Sequence, residues 1–236
     1  MQEFSTQRFD EGQEPKVPMP WQVSISNHYC GGTILDSKTV LSAAQCFYSG
    51  YADRYFVVAS ARQKIGISKL VTNPDKPFNI STKDYDIVLL KLQHEISFEE
   101  GVIQPACLPE VNFIPSNGTK CFASGWGHYD YYNQNQHDML SPYSLSWVEA
   151  FIVDQNECIR QYQHHESITD NMICASDEEG KYQFGGSVVC LDGDVPVVIG
   201  VANIGYHNYP GIFARVAPHL DWIKANMENN AGNSNG

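Results

Sequence analysis

The chain has 236 residues, 42% of them hydrophobic and 18% charged, with a formal net charge of −12. That is enough apolar material for a packed core, which excludes global disorder, and the acidic balance argues against nucleic acid and anionic membranes as partners. No run of about eighteen apolar residues is present, so nothing in the sequence reads as a membrane-spanning helix.

Met1-Gln2-Glu3-Phe4 has no basic stretch followed by an apolar run, so a signal peptide is expected to be absent or removed; residues 1–8 are equally compatible with native sequence, propeptide or an added leader. Trp21-Gln22-Val23-Ser24-Ile25 alternates apolar and polar as a half-buried strand does. Similar runs follow at 38–41, 55–59, 65–71 and 86–92. A second set opens near Cys121 and continues at 146–153, 187–191, 195–202 and 211–216. Gly, Pro, Asn and Asp punctuate these runs, and Asp192-Gly193-Asp194 reads as a hairpin turn, not a calcium loop. Strands at this spacing predict a sandwich or barrels instead of βαβ units. Val216, Leu220, Ile223 and Met227 fall at helical spacing, which predicts a short terminal helix with Trp222 partly packed. The polar tail 229–236 is expected to fray.

The seven cysteines, Cys30, Cys46, Cys107, Cys121, Cys158, Cys174 and Cys190, include no CxxC pair and no zinc-like spacing with histidine. Their wide scatter suits a disulfide framework formed in an oxidising compartment. Asn79-Ile80-Ser81 and Asn117-Gly118-Thr119 are possible glycosylation sequons at Asn79 and Asn117. His164, His165 and Glu166 are metal-ligand types, but adjacent histidines in one short segment seldom converge on one ion. A solvated surface is expected there, and no metal or cofactor is expected anywhere.

Several strings carry a resemblance. They are Pro20-Trp21-Gln22-Val23-Ser24-Ile25, Cys30-Gly31-Gly32-Thr33-Ile34-Leu35, Val40-Leu41-Ser42-Ala43-Ala44-Gln45-Cys46 and Tyr85-Asp86-Ile87-Val88-Leu89-Leu90. Cys107-Leu108-Pro109, Ser124-Gly125-Trp126-Gly127, Gly185-Gly186, the segment Tyr209-Pro210-Gly211-Ile212-Phe213-Ala214-Arg215-Val216 and Asp221-Trp222-Ile223 follow. In this order they resemble the trypsin-like serine proteases over nearly the whole chain. The resemblance implies an all-β fold: a double six-stranded antiparallel β-barrel with a C-terminal α-helix, in one domain over 9–236. The N-terminal barrel would cover about 20–107, the C-terminal barrel about 108–216 and the helix about 217–228. It also implies disulfides Cys30–Cys46, Cys121–Cys190 and Cys158–Cys174, with Cys107 unpaired. A fourth family bridge is missing, because Gly180 holds one of its positions and the loop after Tyr206 is short.

The family's catalysis needs a serine nucleophile, a histidine base and an orienting carboxylate within hydrogen-bond reach. The histidine of the family's Ala-Ala-His-Cys string is Gln45 here, and an amide does not accept a proton near neutral pH. Counting back from Cys190 places Phe184 at the nucleophile. Asp86 alone keeps its type, and without a histidine to orient it is expected to accept hydrogen bonds locally, Gln45 being a candidate donor. The glycine of the oxyanion hole becomes Tyr182, and the aspartate of the activation ion pair becomes Gln183. The matching N-terminus reads Phe9-Asp10-Glu11-Gly12 after Arg8. Glu178 aligns with the floor of the specificity pocket, and Ile204 replaces a wall tryptophan. Ser187 is not expected to take over as nucleophile, because no histidine neighbours it in the family's arrangement.

Residues 129–137 follow Gly125-Trp126-Gly127, where the family has an exposed loop beside the active site. Tyr129, Tyr131, Tyr132, Asn133 and His137 make it a candidate binding loop, since tyrosine offers large contact area at low entropic cost. Ile168-Thr169-Asp170-Asn171-Met172-Ile173-Cys174 is similar to the mite group 3 allergens, which are digestive trypsins. A mite protease frame with an altered triad resembles the scabies mite inactivated serine protease paralogues. That resemblance implies a secreted, gut-located pseudoprotease that inhibits host complement by binding complement proteins; a monomer is expected, though the sequence does not fix the oligomeric state. The alternative is a non-catalytic cofactor or regulator of an active protease cascade; a hydrolase working by an unrecognised route is the third reading.

Overall fold

The computed structural model describes residues 19–26, 28–47, 50–111, 113–125, 145–176, 186–206 and 209–228. Short strands of β-branched and aromatic residues, broken by turns, form β1 (Gln22–Ile25), β2 (Cys30–Asp36), β3 (Thr39–Ser42), β4 (Phe56–Ala59), β5 (Gln63–Val71) and β6 (Val88–Leu92). They close into an antiparallel barrel in the order β1-β2-β3-β6-β5-β4. A second closed barrel holds β7 (Lys120–Gly125), β8 (Ser146–Val153), β9 (Met172–Ser176), β10 (Ser187–Asp192), β11 (Val195–Ile204) and β12 (Gly211–Arg215), ordered β10-β11-β12-β9-β8-β7. Closure leaves neither sheet with a free edge.

The β10–β11 hairpin turns through Gly193-Asp194, with Asp192 paired to Val195 and Gly193 at φ +62. A positive φ at the first central residue is what a type II′ turn requires.

The interiors are aliphatic. Ile25, Ile34, Leu41, Ile67, Leu89 and Leu90 are fully buried in the first barrel. Each contributes about 1.5–3 kcal/mol of transfer free energy. The same cluster continues into Phe122, Trp147, Val189, Val198, Val201 and the terminal residues Leu220 and Ile223, so one core runs from barrel to barrel. Close approach at the junction depends on Gly31, where a Cβ would come within 2.8 Å of Gln22 Nε2 and 3.2 Å of the Gly186 nitrogen. Gln22 also accepts from Ser124 Oγ at 2.8 Å, a bond between β1 and β7.

Cys30–Cys46, Cys121–Cys190 and Cys158–Cys174 are bonded, and Cys107 is free and exposed. The Cys107 backbone lies between barrels, donating to Pro196 O and accepting from Val198 N, both at 2.9 Å.

Two boundaries differ from the sequence reading. The strand expected from Asp86 starts at Val88, because Tyr85 sits at φ +57 and turns the chain just before it. The helix expected from Val216 begins as a 3-10 turn, Ala217–His219, carrying Pro218 at its start, and becomes α-helical only at Leu220. The helix α1 (Gln155–Tyr162) and the strands β2 and β9 have no counterpart among the runs read from the sequence; the terminal helix Leu220–Glu228 is α2.

Candidate active site

The site is built from three elements that meet between the barrels. A 3-10 turn, Ala44–Phe47, follows β3 and is stapled by the Cys30–Cys46 bond, so it presents Gln45 at a fixed position. The segment before β6 delivers Asp86, which is 0% exposed. The end of β11 delivers Asn203, also buried.

Gln45 joins all three. Its backbone N–H donates to Asp86 Oδ1 at 2.8 Å and its Nε2 donates to Asp86 Oδ2 at 2.6 Å. Nε2 also donates to the Asn203 carbonyl at 3.0 Å. Asn203 Nδ2 in turn donates to the Lys83 carbonyl at 2.7 Å, which ties β11 back to the Asp86 segment. Burial pushes the Asp86 carboxyl up to about 7, against the hydrogen bonds from the Gln45 backbone, the Gln45 side chain and Ala44, and against the Lys83 charge. Both hydrogens of the Gln45 amide are engaged, and an amide nitrogen has no basic lone pair. Gln45 therefore serves Asp86 as a hydrogen-bond donor, and its amide cannot itself take a proton from a neighbouring hydroxyl.

The segment carrying Asp86 is held from both sides. Asp84 accepts from Thr169 Oγ1 at 3.0 Å and from Asn171 Nδ2 at 3.1 Å. Lys83 and Tyr85 flank it at φ +58 and φ +57, in the left-handed region that non-glycine residues seldom occupy. Tyr85 stands edge-on to the buried His219 ring at 6.0 Å. Burial, then the Lys76 charge, lowers His219 to about 4, against the pull of Asp84.

Ser187 is 1% exposed at the start of β10, and its Oγ has no hydrogen-bond partner among the described residues. Ile204 is half-buried against the cluster of Cys158, Tyr162, Met172, Cys174 and Ile212. Phe184, Tyr182, Gln183, Glu178 and Gly180, and the loop with Tyr129, Tyr131, Tyr132, Asn133 and His137, lie outside the described residues. Their assignment rests on the sequence alone.

His165 and Glu166 belong to an aromatic cluster. Tyr209 Oη lies 3.0 Å from His165 Nε2, and Tyr206 donates to Glu166 Oε1 at 2.6 Å. That bond to a carboxylate, then burial, pushes the Tyr206 phenol up to about 12. Among the described residues no group of three or more His, Cys, Asp or Glu side chains is placed to hold a metal ion. Asn79 and Asn117 are both exposed. Asn79 Oδ1 accepts from the Ser81 and Thr82 nitrogens at 2.9 and 3.1 Å.

Sequence reasoning did not find Asn203, Lys83, Asp84 or His219. Asn203 follows the apolar run of β11 and carries no local signal of its role; only folding brings its carbonyl to Gln45, 158 positions away.

The Trypsin family model matches residues 9–223. The chain is 32% identical to Trypsin 5G1 of Aedes aegypti over 229 residues, covering 89% of this chain and 81% of that one. It is 29% identical to Trypsin V-A of Rattus norvegicus over 229 residues, with 92% and 87% covered. It is also 29% identical to the human tissue-type plasminogen activator over 248 residues, which spans 88% of this chain and 42% of the activator.

Proposed function

This chain belongs to the trypsin family, and we propose that it is a secreted member that no longer cuts peptides and acts by binding protein, host complement being its target. The observation that carries the loss of turnover is the Gln45–Asp86 pair. The carboxylate that would orient a histidine base accepts instead from the Gln45 backbone N–H and from the Gln45 side-chain amide, which cannot act as a base. The sequence supports the same reading at Phe184, whose ring has no nucleophilic atom, and at Tyr182 and Gln183. Loss of triad members in such enzymes costs about 10⁴ to 10⁶ in kcat, and the residual rate depends on an intact oxyanion hole.

Loss of turnover leaves the closed, disulfide-bonded barrels and their loops available as a rigid display surface. Three disulfides fit a secreted protein. Tyr129 to His137 is the proposed contact loop by composition. The complement target follows from the resemblance to the inactivated mite paralogues, and a gut location in a mite follows from it too.

The test is antibody-triggered red-cell lysis in human serum with increasing amounts of the purified protein. The reading expects a dose-dependent fall in lysis, with complement chains uncleaved on a gel, and loss of the effect when 129–137 is replaced by a Gly-Ser stretch. Full lysis at large excess contradicts complement as the target and moves the search to active proteases as partners.

A further inference from the structure

We propose that Asn117 carries an N-linked glycan that covers the exposed apolar side chains near it. This goes beyond the binding reading and does not depend on it.

Asn117, Gly118 and Thr119 occupy the last three positions of a tight turn, closed by the Thr119 N–H donating to Ser116 O at 3.0 Å. Gly118 sits at φ +78, which a type II turn demands at that position and which glycine adopts without strain. Asn117 is exposed, and nothing in the described structure lies within 4 Å of where a Gly118 side chain would begin. The outer side of the turn at Gly118 is therefore open.

The Asn117 amide is oriented as well as exposed. Its Oδ1 accepts from the Asp154 backbone N–H at 3.0 Å. Asp154 is the residue that caps α1 by accepting from the Asn156 and Glu157 nitrogens. With the oxygen held against the helix start, Nδ2 is left without a partner among the described residues. A sugar attached at Nδ2 keeps that oxygen contact.

The surroundings fit a carbohydrate. The turn is bonded to Ile152 at both sides, through Gly118 N to Ile152 O at 2.8 Å and Ile152 N to Thr119 O at 3.0 Å. That places it beside Phe151, which pairs with Lys120 and is 40% exposed. Phe113 and Ile114, 38% and 66% exposed, lead into the same turn. Phe151 along the ladder and Phe113 and Ile114 along the chain each lie within a few residues of the sequon. The bulky, solubilising core of an N-glycan on Asn117 would lie over such exposed apolar side chains.

The reaction is an ordinary transfer. Asn117 Nδ2 forms a bond to the anomeric carbon of a lipid-pyrophosphate-linked oligosaccharide. The bond from that carbon to the pyrophosphate oxygen breaks, the lipid pyrophosphate leaves with the electron pair, and Nδ2 loses one proton. The oxidising compartment that forms the three disulfides is where such donors are used.

The experiment is secretion of the full chain from a eukaryotic cell line, then release of glycans by peptide N-glycosidase in heavy-oxygen water. Release converts each glycosylated asparagine to isotope-labelled aspartate, so peptide mapping separates Asn117 from Asn79. The expected result is label at 117 in most molecules and its loss in Thr119→Ala, which keeps the Oδ1 contact to Asp154. Binding of an apolar dye should rise when the wild-type glycan is removed enzymatically. Folded, secreted protein with no label at 117 overturns the proposal, as does label that persists in Thr119→Ala or dye binding unchanged by glycan removal.

Discussion

Gln45 grips both oxygens of one carboxylate: its backbone N–H donates to Asp86 Oδ1 at 2.8 Å and its side chain to Oδ2 at 2.6 Å. Asp86 is wholly inaccessible to solvent, so its oxygens find partners within the protein or find none. Gln45→Ala removes the Oδ2 donor and is expected to cost about 1–3 kcal/mol. Urea unfolding should show a lower midpoint with an unchanged slope. A midpoint equal to that of the wild type would mean that Oδ2 is satisfied some other way.

Restoring residue types should not restore chemistry. Gln45→His with Phe184→Ser is expected to give no burst with an acylating active-site titrant. On the reading proposed above, Tyr182 stands at the oxyanion position and Gln183 at the activation ion pair, and neither is repaired by the two changes. A stoichiometric burst would show that the supporting frame is intact and that only the two reacting groups were lost.

Two buried groups pull the pH dependence of stability in opposite directions. Asp86, raised to about 7 by burial, holds its proton in the folded state where the unfolded chain has released it. Its contribution is complete below the unfolded value of 3.8 and is lost as pH rises through 7. His219, lowered to about 4 by burial, stays neutral where the unfolded chain is protonated, so its contribution is complete above 6.5 and is lost as pH falls toward 4. Each slope is at most about 1.4 kcal/mol per pH unit. Between pH 4 and 6.5 they oppose, and Tm of the wild type should vary little from these two groups. Asp86→Asn leaves the histidine alone, and its Tm should drop on acidification; His219→Gln leaves the aspartate alone, and its Tm should rise. Parallel Tm profiles in all three proteins would contradict both assignments.

The thiol count is a direct check on the disulfide pattern. The native protein should react with one equivalent of an aromatic disulfide reagent, at the exposed Cys107. Opening Cys158–Cys174, which ties α1 to β9 across 16 positions, by a double change to alanine should cost about 2–4 kcal/mol. Three or more reactive thiols in the native state would mean that a bond is missing.

Much of the barrel framework was legible because period-two alternation survives in the sequence of short strands such as Gln22–Ile25 and because Gly, Pro, Asn and Asp mark their ends, although that strand, expected to be half-buried, is buried on both faces, Gln22 and Ser24 included. The first helix was not. Its buried stripe is only Cys158 and Tyr162, one turn apart, among polar neighbours. The readable signal was at its start: Asp154 accepts from the Glu157 nitrogen three residues on, a cap with an acid in the expected place. At the site, Gln45 and Asp86 were nameable from their motifs, and the bond between them was expected. The wider network was not nameable, because Lys83, Asp84, Asn171 and Asn203 meet through contacts that join the barrels and leave no local pattern.

The proposed loss of peptide cleavage can be measured directly. The most direct measurement is turnover of casein and of a panel of peptide amides by the purified native chain at high concentration over many hours. The account predicts a rate indistinguishable from buffer, unchanged by serine-directed inhibitors. Cleavage that co-purifies with the chain and is abolished by Phe184→Ala or by such an inhibitor would contradict it.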